Sequence, residues 1–326
     1  LYLFWLGKSK KQTWLTGIYS FIAFSAIVTN NSDSIYLSLG AVFFALLVMS
    51  IGNSEKLCRW FYIIALWFGS CGLMSLLRIF NADDVRILRG FSDFFLDIKT
   101  ILIGLVTTTI LILGLKYYMR KSKKPTECSP RLRKRIQIGC IISAVLLAML
   151  IVIVITLNTC GFFQNWFGFT INNKYLLFND LWGDSRGFNW KFTIQMFCNL
   201  PFIQKLFGVG SDCYQFYAYT NPDYTETLMN FWGTGTVISN AHNEWLNALL
   251  CHGIVGSILY CSIFISVMVK CFRIGDSKNA DPILIGVGLS LLGYMSHNLF
   301  CYQQICATGP IFILMGIAMQ NSKKGI

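Results

Sequence analysis

Residues 131–157 read RLRKR and then IQIGCIISAVLLAMLIVIVITL. The second part, 136–157, contains no charged residue, and four of the five residues before it are cations. An uncharged run of this length carries an α-helix across the roughly 30 Å hydrocarbon core of a bilayer. A collar of Lys and Arg at one end holds that end in the cytoplasm. One segment therefore indicates both a fold class and an orientation.

The same pattern recurs along the chain. Apolar runs separated by polar breaks fall at about 13–29, 35–51, 60–80, 99–118, 136–157, 246–269, 283–300 and 306–320. Of all 326 residues 55% are hydrophobic and 13% charged, about half the charged share of a soluble domain, and mean hydropathy is +0.56. The expected fold class is all-α: a polytopic integral membrane protein of about eight transmembrane helices. The chain opens on Leu1, and Leu1–Leu6 is apolar like the tail of a further span, so the reading expects N-terminal spans to be missing.

The net charge of +12 records topology. The loop 116–135 holds Lys116, Arg120, Lys121, Lys123, Lys124, Arg131, Arg133, Lys134 and Arg135 against one acid, Glu127. Placed inside, it puts the clusters at Lys8, Lys10 and Lys11, at Lys56 and Arg59, at Lys270, Arg273 and Lys278, and at Lys323 and Lys324 inside too. The C-terminus is then cytoplasmic. Short basic loops beside lipid are not a folded basic face, so nucleic acid is not an expected partner. The expected organisation is spans one to five over 1–157, one large extracytoplasmic segment over 158–245, and spans six to eight over 246–326.

The segment 158–245 is too long for an idle connection and too aromatic for a disordered one: Phe, Tyr and Trp make up 21 of residues 158–244, about a quarter, against 15% for the whole chain. Rings at this level form an interfacial belt or platforms for sugars; Trp166, Trp182, Trp190 and Trp232 are the ones to locate. Asp184 and Ser185 suit a helix start. Trp190, Ile194 and Phe197 follow at helical spacing, Pro201 ends the helix, and Gly208-Val209-Gly210 makes a tight turn. The expected picture is a surface helix followed by a turn toward His242. Twelve scattered cysteines lack ligand spacing for zinc; Cys160, Cys198 and Cys213 leave open one disulfide or, the preferred reading, free thiols acting as small apolar groups.

Titratable groups gather at one face. His242, in Ser239-Asn240-Ala241-His242-Asn243-Glu244-Trp245, is a candidate general base, because imidazole accepts and returns a proton near neutral pH. Glu244 stands two residues on, to orient it or contact a sugar. His297, with Asn298, emerges near the same face. Guanidinium forks bind phosphate bidentately, which brings in Arg186 and Arg89. No lone Asp, Glu, Lys or Arg sits mid-span, which weighs against ion-coupled transport.

From Arg186 to about Gly256 the chain resembles the O-antigen ligase and polysaccharide polymerase family of bacterial membrane glycosyltransferases. The resemblance rests on Arg186, Trp190, Pro201, Gly208-Val209-Gly210, His242-Asn243, Leu246, Leu249, Leu250 and Gly253-Ile254-Val255-Gly256, in that order. Arg89-Gly90 stands where the family carries Ser-Arg-Gly, with Leu88 in place of the Ser. The resemblance implies a glycan donor on a polyprenyl diphosphate, presented at the outer face of the bacterial cytoplasmic membrane. Arg186, with Arg89, would hold the diphosphate, and His242 would deprotonate a hydroxyl of a glycan, lipid or protein acceptor. Lys191, Asn243, Glu244, Trp190 and His297 are the further substrate-binding candidates; membrane lipid is a partner, and no cofactor or metal is implied. The competing readings are a polysaccharide exporter or flippase, and a non-catalytic glycan-binding scaffold.

Overall fold

The computed structural model describes residues 1–80, 88, 90–122, 127–173, 175–275 and 281–324. Among them no strand occurs; an isolated bridge joins Asn53 and Glu127. The chain divides into two compact units, Leu1–Ser143 and Ala144–Ile326.

The first unit contains α1 (Tyr2–Leu6), α2 (Lys10–Asn30), α3 (Asp33–Ser50), α4 (Ser54–Phe80), α5 (Phe91–Leu96), α6 (Ile98–Lys121) and the start of α7 (Pro130–Thr159). Side-chain caps set two of the helix starts: Ser9 Oγ accepts from the Gln12 N–H at 3.2 Å, and Asp97 accepts from the Thr100 N–H at 3.0 Å. Rings tie the packing together. Trp67 meets Phe24 and Tyr36 edge-on, and Tyr36 stacks on Phe95 while donating its hydroxyl to Ser92.

The second unit contains the rest of α7, then α8 (Phe162–Phe167), α9 (Trp182–Asn199), α10 (Phe202–Phe207), α11 (Tyr214–Thr220), α12 (Pro222–Trp232), α13 (Glu244–Gly275), α14 (Pro282–His297) and α15 (Ile305–Lys324). Five helices, α3, α4, α6, α7 and α13, are long and apolar enough to cross a membrane; α14 and most of α15 are shorter apolar helices. Each of the eight expected apolar runs is helical over most of its length; α14 ends at His297, three residues short of the expected end at 300. In α7 the most apolar stretch has no residue buried within the chain, so its side chains require a lipid or protein neighbour to leave water. The protein is a multi-pass membrane protein.

The segment expected as one long loop is mostly helix. A core of Phe192, Met196, Leu200, Tyr214, Tyr224, Leu228 and Ile238 closes against Leu250 and Cys251 of α13. A second core joins Phe264 and Cys271 of α13 to Leu284, Leu291 and Tyr294 of α14 and Met315 of α15. Helix α9 packs with a different phase from the one its sequence suggests. Its buried face is Asn189, Phe192, Thr193 and Met196, while Ile194 is 48% exposed. Both faces are apolar enough to be buried, so spacing by itself does not choose between them. Nor do Asp184 and Ser185 cap it. They lie with Gly183 in left-handed backbone, φ 59° and 67°, and the helix proper begins at Arg186. The twelve cysteines, Cys160, Cys198 and Cys213 among them, are free thiols. Of the four tryptophans singled out, Trp182 is buried, Trp190 and Trp232 are half-buried, and Trp166 is exposed, its ring next to Phe162.

Helix α13 is broken at Gly253, φ 67° and ψ −173°. The break frees the carbonyls of Leu250 and Cys251, and the Gly208–Gly210 turn fills them: the Val209 N–H donates to Leu250 O at 3.1 Å and the Gly210 N–H to Cys251 O at 3.0 Å. The two glycine motifs are one joint. A Cβ on Gly208 would lie 2.2 Å from Cys251 O, and one on Gly253 would lie 2.4 Å from Leu206 main chain. Gly208→Ala and Gly253→Ala should each cost about 2–3 kcal/mol, from left-handed strain and main-chain collision together. Gly235, with open space around it and no positive φ, should accept Ala with little change. Thermal unfolding followed by fluorescence-detected gel filtration compares the three.

Candidate functional site

Arg186 follows the left-handed turn at Gly183–Ser185, and its guanidinium folds back to donate from Nη1 to Gly183 O. Its Nε–H donates to Phe300 O at 2.8 Å. Gly187 makes this turn close: a Cβ there would lie 1.9 Å from Asn179 O, and the next N–H, of Phe188, donates to Asp180 O. Among the described residues no carboxylate pairs with Arg186 and no acceptor meets Nη2. A guanidinium has five N–H donors, so two main-chain bonds fix the group and leave its outer edge unspent.

His242 also has left-handed backbone, φ 50°. Its N–H donates to Asn240 Oδ1 at 2.9 Å, and its ring stands edge-on to Tyr302 with centroids 5.4 Å apart. Neither ring nitrogen is hydrogen-bonded among the described residues. Burial, and secondarily the Arg186 guanidinium, hold the imidazole below the usual histidine range. It is therefore neutral, and able to accept a proton, at physiological pH. Non-glycine residues at positive φ are uncommon and strain of this kind concentrates at functional sites; Asp184, Ser185 and His242 make up three of the five among the described residues.

What joins these two groups is the connection between α14 and α15, residues 298–304. Phe300 supplies the carbonyl that holds Arg186, and Tyr302 the ring that stands on His242. Glu244 fastens this connection. Its N–H donates to both Asn298 O and Cys301 O, at 3.0 and 2.9 Å, and its carboxylate accepts from the Gln303 N–H at 2.9 Å and the Tyr260 hydroxyl at 3.3 Å. At 5% exposure, Glu244 faces inward. The bonds of the carboxylate go to Gln303 and Tyr260, so among the described residues its link to His242 runs through the connection that carries Tyr302.

Other candidates separate. Asn243 is buried and caps α13, accepting from the Trp245 and Leu246 N–H groups at 3.0 and 3.1 Å. Trp190 lies in a ring cluster with Trp182 and Phe300, centroids 5.1 and 5.6 Å away, its indole N–H buried without a partner among the described residues. Lys191 pairs with Asp180 at 2.9 Å on the surface and lies over the Phe178 ring, an exposed pair worth at most about 1 kcal/mol. His297 ends α14, its Nδ1 3.4 Å from Asn298 Oδ1. His242 and His297 have Arg186 as a common charged neighbour. Arg89 lies outside the described residues, as do Asp83, Asp84 and Arg86. Among the described residues no group of three or more His, Cys, Asp or Glu is gathered closely enough to hold a metal ion. Phe300, Tyr302 and Gln303 escape sequence reasoning, which counts Phe300 into the apolar run 283–300 and sees Tyr302 and Gln303 only as an interval before the next run.

Removing the Glu244 carboxylate should release the 298–304 connection. Charge-assisted hydrogen bonds contribute about 1.5–3 kcal/mol each, and a stranded buried donor costs a similar amount. Glu244→Ala is therefore expected to destabilise the fold by about 2–4 kcal/mol. Glu244→Gln, which keeps an acceptor for the Gln303 N–H, should lose about half as much. Thermal unfolding of the purified variants reads both.

Compared with known families, residues 94–261 match the model of the O-antigen ligase family. No curated protein matches the chain. The family match covers more than half of the 326 residues and includes both Arg186 and His242, and the chain belongs to this family.

Proposed function

We propose that this member of the O-antigen ligase family, whose common work is glycan ligation or polymerisation in a membrane, transfers a polyprenyl-diphosphate-linked glycan at the outer face of the bacterial cytoplasmic membrane. The observation that supports this most is the meeting of Arg186 and His242 on one connection, with the reactive edge of each left unspent. Phosphate recognition needs a cation with free, fixed donors; proton removal from a hydroxyl needs an unprotonated base with a free lone pair. Both are present here, and nothing in the fold spends them on each other.

The reaction then runs as a single displacement. An acceptor hydroxyl gives its proton to an imidazole nitrogen of His242 as its oxygen attacks the anomeric carbon. The bond from that carbon to the diphosphate oxygen breaks, and the electron pair leaves with the diphosphate. Arg186, already oriented by Gly183 and Phe300, stabilises the charge that develops there. Attack opposite the leaving group inverts the anomeric configuration. Lys191, Trp190, His297 and Arg89 remain donor- or acceptor-binding candidates, the acceptor being a glycan, a lipid or a protein. In this scheme the spans enclose a segment from 158 to 245 on the outer side, and the basic loop and the C-terminus lie in the cytoplasm.

Cells lacking the native enzyme, complemented with His242→Ala or Arg186→Ala at normal membrane levels, should lose polymer or acceptor modification by at least about a hundredfold, the scale of general-base and charge stabilisation. A gel ladder of surface polysaccharide reads this. Single repeat units identify a polymerase, and long lipid-linked chains that never reach an acceptor identify a ligase. A normal ladder from both variants would leave an exporter or a scaffold as the reading. The pH dependence is a second check. Because burial and Arg186 hold His242 below the usual histidine range, the acid limb of activity should have its midpoint at lower pH than an ordinary histidine would give. Arg186→Gln removes a positive neighbour, so the acid limb of its residual activity should move to higher pH.

A further inference from the structure

We infer that residues 201–207, with α10 at their centre, are a re-entrant wedge that enters the bilayer beside α13 and presents Phe202, Ile203 and Phe207 to phospholipid acyl chains. The first ground is depth. Gly253 lies nine residues below Glu244, about 14 Å at 1.5 Å per residue. From Glu244 to Lys270 the helix runs about 39 Å by the same rise. A hydrocarbon core of about 30 Å centred on it begins about 5 Å below Glu244, which places Gly253 about 9 Å inside. Leu206 and Gly208 touch main chain at Gly253 and Cys251, so the segment attached to them shares that depth.

The second ground is the backbone. A helix broken in hydrocarbon exposes polar groups that lipid cannot satisfy, and such breaks persist only where protein covers them. Here the carbonyls of Leu250 and Cys251 receive the N–H groups of Val209 and Gly210. Main-chain hydrogen bonds of this kind would be replaceable by water in an aqueous loop; in the bilayer they are obligatory.

The third ground is the outward surface. Phe202, Ile203 and Phe207 are 72%, 65% and 63% exposed, and none belongs to the core that α9, α11 and α12 form. Leu206, between them, is half-buried, and its main chain lies against Gly253 of α13. A six-residue helix with three large apolar groups turned outward is poorly suited to water and well suited to hydrocarbon. Lys205 is compatible with this depth, since a lysine stem returns its ammonium toward headgroups. The wedge joins the end of α9, which begins at Arg186, to the part of α13 below His242, so lipid contact there sets the height of both groups relative to the membrane. The inference depends on α13 being a membrane span and not on the chemistry proposed above.

Photocrosslinking tests it in the full chain, in cell membranes. p-Benzoylphenylalanine is introduced at 202, 203 or 207, with Leu146 on α7 as a lipid-facing reference and Thr227, an exposed residue of α12, as the aqueous one. After irradiation, mass spectrometry of the purified protein should find phospholipid adducts at 202, 203 and 207 at levels like those at 146, and none at 227. Adducts at 146 with none at the three positions, or crosslinks from them to polypeptide, would overturn the wedge. Phe202→Asp and Ile203→Asp give an independent reading. Carboxylates in hydrocarbon should lower folded protein in the membrane about tenfold or more, whereas unchanged levels would place the segment in water.

Discussion

Backbone carbonyls freed by a break in a helix need new donors, and this constraint organises the second unit. Helix α13 breaks at Gly253, and the two carbonyls it gives up are taken by the Gly208–Gly210 turn. That exchange requires Gly208 and Gly253 to lie almost in contact, and a side chain at either would collide with main chain. From the joint, α10 and then α9 run back to Arg186, while the upper part of α13 runs back to His242. Two candidate residues separated by 56 positions in sequence are thus tied to the same helix through one pair of hydrogen bonds.

At the other end the site is closed by a second device. The connection 298–304 gives Phe300 O to Arg186 and the Tyr302 ring to His242, and Glu244 holds the connection by its N–H and its carboxylate. A buried carboxylate with two good donors is stable where an unpaired one would not be. Its bonds hold the main chain and the Tyr260 hydroxyl in place. Among the described residues the arrangement leaves Arg186 fixed by main-chain acceptors alone, without a carboxylate counterion, and leaves the His242 ring without a hydrogen-bonded partner.

How much of this the sequence discloses depends on the range of the interaction concerned. Helices such as α6 and α7 are legible because length and apolar content are local properties. The Gly208–Gly210 turn and the candidacy of Arg186 and His242 are legible from residue types in order. The buried face of α9 is not: Phe192 and Met196 compete with Trp190 and Ile194, and the choice belongs to Tyr214 and Leu228, on other helices. Asp184 and Ser185 have the composition of a cap, but they turn left-handed, and Arg186 folds back over the turn to Gly183 O. Glu244 looks like a solvated first-turn carboxylate until the Gln303 N–H and the Tyr260 hydroxyl are seen to surround it.

By itself, then, the sequence determined that this chain is helical, that it lives in a membrane, and that it belongs with O-antigen ligases. Transfer of apolar runs from water is additive along the chain and needs no knowledge of what they meet. Only the tertiary structure decided that Arg186 and His242 converge on one connection, that Glu244 fastens it, and that the glycine turn plugs a broken helix. Those outcomes depend on hydrogen-bond donors and acceptors that are ordinary main-chain groups. A carbonyl at Phe300 or an N–H at Val209 is the same in every sequence, and only its place in space gives it a partner.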